Sequence, residues 1–287
     1  MIPGSFTYHR PKSLADAVGL LADLGEDARA LAGGHSLIPM MKLRLASPEH
    51  LVDLADIGDL KGIRPDGDDI LIGAMTTQQE LIASDLLAAK VPILREASLL
   101  IADPQVRYVG TIGGNVANGD PGNDLPAIMM CLGASYQVAG KSYARSINAR
   151  NCYRSAYVTE LRPGEIVTAI RIPLPAPGHG YAYEKLKRKV GDYATAAAAV
   201  MMTMNIGKVA TCAIALTNVA DVPLFADQAA KVLIGSTLDA GTVKEAVAAA
   251  EAITSPASDN RGPAHYRTKM AGVMLARALA SAKARAM

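Results

Sequence analysis

The sequence predicts an α+β protein of two domains, and its length, its composition and one boundary segment support this. Its 287 residues suffice for about two domains, each large enough to bury a core. Half of the residues are hydrophobic and only 20% are charged, which excludes a disordered chain. The segment PLPAPGHG, residues 173–180, is dense in Pro and Gly and marks the boundary. We therefore expect an N-terminal domain over residues 1–177 and a C-terminal domain over residues 178–287.

A small α/β subdomain is predicted for residues 1–55. Ser13 precedes the run LADAVGLLADLG, whose apolar residues recur at helical spacing, so it is the expected N-cap. The run ARALAGG predicts a short strand that ends in glycines, and SLIPMMKLRLA predicts a helix with Ser36 as its N-cap. HLVDL predicts a second short strand. Helices that alternate with strands in this way are typical of an α/β unit.

Residues 56–177 are expected to form a second, mixed subdomain. Apolar runs between turn-forming residues predict the strands 70–76, 136–139, 143–147 and 165–172 and the helices 77–83, 92–101 and 124–132. The stretch VGTIGGNVANGDPGND, residues 109–124, is rich in Gly and Asn and lies between apolar segments. It predicts an ordered loop rather than a linker.

The C-terminal domain is predicted to be an antiparallel sheet followed by helices. Three runs, YAYEKLK, TAAAAVMMTMNI and VATCAIALTNV, are typical of strands, and Gly207-Lys208 between the last two indicates a hairpin turn. The chain then becomes rich in alanine, and helices are expected over residues 226–234, 243–253 and 264–284.

Composition excludes some partners and sites. Lys plus Arg is 29 and Asp plus Glu is 27, and the chain has no Trp and two Phe, which argues against nucleic acid as a partner. The cysteines are far apart and form no C-x-x-C pair, and the five His lack ligand spacing. No metal site is expected. No leader-like apolar stretch follows the first charges, and the longest uncharged apolar run, residues 194–204, is too short to span a bilayer, so we expect a soluble cytoplasmic protein.

The motifs of several enzyme classes are missing. The sequence has no G-x-G-x-x-G, no phosphate-binding G-x-x-x-x-G-K-[ST] and no H-E-x-x-H. The pentapeptide GHSLI has Ile38 where a nucleophile elbow needs a second glycine. We therefore predict no catalytic residue in this chain.

Two double-glycine motifs are the strongest functional signal. Ala32-Gly33-Gly34-His35-Ser36 lies between a strand and a helix, and Thr111-Ile112-Gly113-Gly114-Asn115 lies in the second glycine-rich stretch. Glycine can adopt positive φ and lets another group approach the backbone closely. Consecutive N–H groups in such turns form anion-binding nests, and a helix N-terminus adds positive potential. Two such loops that converge would bind a pyrophosphate; alternatively, both pairs are only tight turns.

The segments AGGHSLIPMMKLRLASPEHLVDL and VGTIGGNVANGDPGNDLPAIMMCLGA resemble the FAD-binding subunits of the molybdenum hydroxylase family. The resemblance extends over essentially the whole chain. The similarity is strongest to the branch that oxidises carbon monoxide. The resemblance implies a vanillyl-alcohol-oxidase-type fold, with FAD held between the FAD-binding domain and the C-terminal domain.

The resemblance also implies roles for individual residues. The two double-glycine motifs would enclose the FAD pyrophosphate, and Asp124 would form a hydrogen bond to FAD, although it could instead cap the helix that follows. Leu161 would contact the adenine end. Lys185 would lie at the flavin. The basic run 185–189 that contains it is typical of a solvated face; alternatively, its positive charge would stabilise the reduced, anionic flavin. Tyr193 would cover one flavin face, unless it is a core tyrosine.

By this resemblance the chain is the electron-transfer subunit of an oxidoreductase and is not active on carbon monoxide alone. A large partner subunit would hold the molybdenum cofactor, a small one two 2Fe–2S clusters, and the assembly would be a dimer of heterotrimers. Electrons would leave through FAD to a quinone or another respiratory acceptor. The complex could place the chain at the inner face of the cell membrane.

Other functions remain open at this stage. The partner could oxidise an organic substrate of the nicotine, xanthine or aromatic acyl-CoA type. The chain could also be a stand-alone FAD oxidoreductase or a non-catalytic, nucleotide-binding assembly protein.

Overall fold

The computed structural model describes residues 2–286, and three sheets organise its fold. The first sheet is parallel, in the order β1–β3–β2, and consists of β1 (Thr7–His9), β2 (Ala28–Leu31) and β3 (His50–Asp53). It carries α1 (Leu14–Leu24) and α2 (Leu37–Lys42). This is the α/β subdomain that the sequence predicts.

The N-caps of these two helices differ. The Ser13 hydroxyl accepts a hydrogen bond from the Asp16 N–H at 3.1 Å, as expected of the N-cap of α1. Ser36 precedes α2, but its side chain forms no capping hydrogen bond. Its backbone (φ −101°, ψ −52°) is already helical rather than extended, so the expected capping geometry does not form. The prediction that Ser36 caps α2 through its side chain is therefore wrong.

The second sheet is antiparallel and has the order β4–β5–β10–β6–β7. Its strands are β4 (Ile63–Asp66), β5 (Asp69–Gly73), β6 (Ser135–Gly140), β7 (Tyr143–Asn148) and β10 (Ile166–Pro173), and a separate hairpin consists of β8 (Tyr153–Ser155) and β9 (Val158–Thr159). The helices of this subdomain are α3 (Gln78–Ala83), α4 (Asp85–Lys90), α5 (Pro92–Leu100), α6 (Pro104–Val109), α7 (Ile112–Ala117) and α8 (Leu125–Cys131).

The glycine-rich stretch 109–124 is not one loop, because α7 lies within it. The Thr111 hydroxyl caps α7 by accepting the Gly114 N–H at 3.1 Å. Two adjacent glycines disfavour a helix by their backbone entropy, but tertiary contacts hold them here. Pairing of the Gly113 N–H with the Ala74 carbonyl at 2.8 Å is one of these contacts.

The third sheet is antiparallel, as the sequence predicts, and its strand order is β11–β12–β13–β14, with β14 as a fourth strand that was not predicted. Its strands are β11 (Gly180–Leu186), β12 (Ala196–Asn205), β13 (Lys208–Thr217) and β14 (Leu224–Phe225). Asn205 pairs with Lys208 across a two-residue turn, in which Ile206 and Gly207 have positive φ. The following helices are α9 (Asp227–Leu233), α10 (Ala240–Ala252) and α11 (Ala264–Arg285).

Both faces of this third sheet are buried, and each faces a different core. Ala198 and Val200 of β12 belong to the core under α9, α10 and α11, whereas Ala197 and Ala199 belong to the core of the second subdomain with Ile128 of α8. The small alanine side chains allow close packing on both sides. Residues on both sides of the segment that connects β10 and β11 therefore contribute to one main core.

Close packing of α11 on β11 gives a prediction for Gly180. A Cβ at this position would clash with the Ala282 carbonyl oxygen of α11, which is backbone and cannot move aside. Gly180→Ala should lower the free energy of unfolding by about 2–3 kcal/mol in urea titrations. Gly19→Ala is the matched control: Gly19 lies in α1 with nothing within 4 Å of its added Cβ, so this change should raise stability by about 0.5–1 kcal/mol. Equal effects of the two changes would contradict the packing described for Gly180.

Candidate functional site

A cleft of about 880 Å³ opens where the two N-terminal subdomains and the C-terminal domain meet. Of the residues that the sequence singled out, those that line the cleft are Ala32, Gly33, Gly34, His35, Ser36, Thr111, Gly113, Gly114, Asn115, Asp124, Leu161, Lys185 and Tyr193. Ile112 is not among the lining residues. It is fully buried in the main core, and its N–H donates to the Thr76 carbonyl at 2.9 Å. Its side chain therefore serves packing, and the expected role of Ile112 toward FAD stays a prediction.

The first double-glycine motif follows β2 and has the properties of an anion nest. Gly34 has φ +74°, a left-handed conformation that glycine adopts without strain. The N–H groups of residues 33–36 donate to no acceptor within residues 2–286. Successive free N–H groups around a left-handed residue form a concavity that binds anions. The motif also lies at the carboxyl end of a parallel sheet, where α/β proteins commonly bind ligands.

The two motifs lie against each other. A Cβ on Gly33 would clash with the Val109 carbonyl oxygen, just before α7. A Cβ on Gly114 would lie 3.4 Å from the Ala32 Cβ. Because both glycines lack side chains, the loop after β2 and the first turn of α7 approach closely and form one continuous wall of the cleft.

The second motif is not a nest, in contrast to the expectation. The N–H groups of Gly113, Gly114 and Asn115 donate to the Ala74 carbonyl, the Thr111 hydroxyl and the Thr111 carbonyl, respectively. Neither glycine has positive φ. Gly113 is needed for packing, because its Cβ would lie 2.5 Å from the Ala74 Cβ. This motif therefore supplies the cleft with a surface and side chains rather than with backbone donors.

Side-chain amides provide polar groups that the backbone of α7 does not. The Asn115 Oδ1, Asn118 Nδ2 and Gln78 Oε1 atoms are buried without a hydrogen-bond partner in the described part of the chain, and all three residues line the cleft. Buried polar atoms without partners are rare and indicate a ligand or ordered water. Asn118 and Gln78 were not predicted as site residues. Had α7 been predicted, the i, i+3 spacing of Asn115 and Asn118 would have placed both amides near one face.

A buried ion pair lies at the cleft wall formed by the C-terminal domain. The Lys185 Nζ donates to Asp124 Oδ2 at 2.8 Å, and the side chains are 1% and 5% exposed. The Tyr183 hydroxyl donates to the other carboxylate oxygen, Oδ1, at 2.5 Å. Asp124 forms no capping hydrogen bond to α8, so its alternative role as a helix cap does not apply. The solvated-face interpretation does not hold for Lys185.

Burial raises the pKa of the Asp124 carboxyl above its usual range, while Lys185 and Tyr183 oppose that shift. Burial also raises the pKa of the Tyr183 hydroxyl well above its usual value, with a further contribution from Asp124. The hydroxyl is therefore always protonated at neutral pH and acts as a donor to the carboxylate.

Tyr193 lies in the cleft wall beyond the basic run 185–189. It is 40% exposed, which excludes a simple core role. A Cβ on Gly122 would lie 2.8 Å from the Tyr193 ring, so the ring packs against the Gly122 backbone. One side of this tyrosine is thus supported by the chain.

Leu161 and the turn that follows it also line the cleft. Glu165 holds this turn: its Oε2 accepts the Arg162 N–H at 2.7 Å, and Arg145 binds both of its oxygens, each at 2.7 Å. The Glu165 side chain is fully buried. Burial acts to raise its pKa, but Arg145, the Arg162 N–H and the Tyr143 hydroxyl outweigh burial and hold the pKa below its usual value.

Residues 2–286 contain no group of three or more His, Cys, Asp or Glu placed to bind a metal ion. None of the described helices is long and apolar enough to cross a membrane.

Comparisons with known proteins agree with the resemblance seen in the sequence. Residues 4–175 match the family "FAD binding domain in molybdopterin dehydrogenase", and residues 181–282 match "CO dehydrogenase flavoprotein C-terminal domain". The chain is 70% identical to the carbon monoxide dehydrogenase medium chain of Afipia carboxidovorans, covering 100% of this chain and 99% of the relative. It is 50% identical to the medium chain of Hydrogenophaga pseudoflava, covering 99% of each. A structure of reconstituted CO dehydrogenase from Oligotropha carboxidovorans matches with a TM-score of 0.99 at 70% identity, covering 100% of both chains.

The contacts of Glu165 predict a pH-dependent loss of stability. Glu165→Gln should lower the free energy of unfolding by about 2–3 kcal/mol at neutral pH. Since the pKa of Glu165 is lower in the folded than in the unfolded chain, the carboxylate stabilises the fold above the unfolded pKa, and this contribution is lost as the pH falls through the folded pKa. Urea unfolding at neutral pH and at about pH 3 measures both values.

The control is Glu160→Gln, which removes the exposed pair with Arg154 and should change stability little. A Glu165→Gln effect that is independent of pH would contradict this account.

Proposed function

This chain belongs to the family of FAD-binding subunits of molybdopterin dehydrogenases, and from that membership we propose that it is the medium subunit of a carbon monoxide-oxidising molybdenum hydroxylase. FAD would bind in the cleft and carry electrons out of the complex. The row of unpaired N–H groups at residues 33–36 is the observation that carries the proposal on the structural side. The identities of 70% and 50% to carbon monoxide dehydrogenase medium chains favour carbon monoxide over organic substrates.

The residues of the cleft fit a flavin dinucleotide. Residues 33–36 would bind the pyrophosphate through backbone N–H groups, which explains why no basic cluster is needed there. The amides of Asn115, Asn118 and Gln78 have unpaired atoms that a bound dinucleotide would satisfy. The turn after Leu161 would receive the adenine end.

The flavin end of the cofactor would lie at the part of the cleft that is lined by Tyr193, Lys185 and Asp124. Tyr193 would cover one face of the ring, supported by the Gly122 backbone. When bound, FAD accepts electrons singly from clusters and releases them in pairs. The chain itself binds the cofactor, orients it and sets the charge around it, so no nucleophile or metal ligand is required.

The partners follow from the division of labour in such complexes. We propose a large subunit with the molybdenum cofactor and a small subunit with two 2Fe–2S clusters, assembled with this chain as a dimer of heterotrimers. A quinone or another respiratory acceptor would take the electrons from FAD. Attachment at the inner face of the cell membrane would then occur through the complex.

Purification through a tag on this chain tests the proposal. The preparation should contain two further subunits, iron, molybdenum and FAD equimolar with the chain, and it should reduce a dye with carbon monoxide. The chain alone should not oxidise carbon monoxide, because residues 2–286 contain no group placed to bind a metal ion. A chain that carries no flavin within the complex, or that reduces its flavin from NADH without partners, would overturn the proposal.

The nest can be tested with two glycines that share one backbone conformation. Gly34 (φ +74°) lies in the cleft, whereas Gly67 (φ +63°) lies in the β4–β5 turn with nothing within 4 Å of an added Cβ. Valine at either position strains the left-handed backbone by about 1–2 kcal/mol. Gly34→Val should reduce the FAD content of the complex more than tenfold, while Gly67→Val should leave it unchanged. Equal FAD content in the two variants would show that the nest does not bind the pyrophosphate.

A further inference from the structure

Tyr183, Asp124 and Lys185 form a polar chain beneath the cleft that joins two domains. Tyr183 and Lys185 are two residues apart on β11, so their side chains project from the same face of the strand. They bind different oxygens of Asp124, at 2.5 Å and 2.8 Å. Asp124 itself precedes α8 in the N-terminal domain. Both carboxylate oxygens are therefore occupied by donors from one strand of the C-terminal domain.

Packing in the core does not explain the hydroxyl group of Tyr183. Tyr183 is 2% exposed and lies in the main core, where a phenylalanine would pack equally well. Its only other polar contact among the described residues is with the Thr217 hydroxyl, at 3.4 Å. The hydroxyl thus contributes one strong interaction, the hydrogen bond to the Asp124 carboxylate.

We propose that Tyr183 is a positioning residue that keeps Asp124 ionised, so that the Asp124–Lys185 pair has zero net charge at the flavin end of the cleft. The inference rests on the proposed function, since it concerns the electrostatics of bound FAD. Reduction adds electrons and negative charge to a flavin, so the midpoint potential of FAD depends on the net charge nearby. If Asp124 becomes protonated, the Lys185 ammonium is no longer balanced, and the potential rises.

The charges around this pair define the sign of the effect. Lys187 directly follows β11, and its charge favours ionised Asp124, as that of Lys185 does. Arg107 of α6 lies near Lys187. Tyr193 faces Asp124 from the loop beyond, and Glu96 of α5 accepts the Tyr183 N–H at 2.7 Å. Burial of Asp124 raises its pKa and the Tyr183 hydrogen bond lowers it, so the loss of the Tyr183 donor should raise the pKa further.

The test uses Tyr183→Phe in the purified complex, with the midpoint potential of bound FAD measured across a range of pH. The loss of a hydrogen bond to a charged group should move the protonation of Asp124 upward by about one to two pH units. In the pH range where Asp124 is protonated in the variant but ionised in the wild type, the FAD potential of the variant should exceed that of the wild type. At higher pH, where Asp124 is ionised in both proteins, the two potentials should be equal. Tyr136→Phe is the matched control, because Tyr136 is a buried core tyrosine whose hydroxyl contacts Tyr153 instead.

Asp124→Asn provides a second route that does not depend on Tyr183. The amide imitates the protonated carboxyl, so this variant should have the high FAD potential at every pH, and adding Tyr183→Phe should change the potential no further. Superimposable curves for wild type, Tyr183→Phe and Tyr136→Phe, in complexes that retain FAD, would overturn the role of Tyr183. Absence of FAD from the wild-type complex would instead refute the proposed function, so the two failures are distinguishable.

Discussion

Backbone N–H groups without acceptors are the constraint on which the cleft depends. Residues 33–36 line the cleft, and their four successive N–H groups donate to no acceptor within residues 2–286. They remain available because Gly34 adopts a left-handed conformation and because Gly33 lets the loop pack on the chain before α7. In the proposed function these donors would bind a dianionic bridge, although the net charge of the chain is only +2. Recognition of this kind resides in chain geometry rather than in charged side chains.

Much of this could be predicted from the sequence, since apolar periodicity and turn residues predict the parallel subdomain, the antiparallel sheet and the C-terminal helices. The stretch 109–124 could not be predicted correctly, because the helix there depends on contacts with Ala74 and Thr76 that are distant in sequence. A Gly-Gly pair has the same local preferences in a nest and in the first turn of a helix. Only the contacts around Gly113 decide between the two.

The site residues show the same limit. Their convergence on one cleft was expected, and their roles toward FAD remain a prediction. Ile112 was included as part of the motif 111–115 that the resemblance implies, and its side chain packs in the main core. Asn118 and Gln78 lack any motif of their own and are recognised by unpaired buried atoms. The basic run at 185–189 suggested a solvated surface, whereas strand alternation turns Lys185 inward to Asp124. The sequence pattern therefore identified the segments that form the cleft. Only tertiary contacts distinguish the residues that line the cleft from neighbours that pack in the core.

The alanines of β12 determine whether the N-terminal part of the chain could exist as a separate fragment. Since Ala197 and Ala199 complete a core that is built mostly from earlier residues, a fragment that stops near the Pro- and Gly-rich segment would present a bare apolar surface on α8. Such a fragment would aggregate or recruit chaperones rather than stand alone. Two family models divide the chain, but because its halves share one core we expect them to fold, and to be degraded, as a unit.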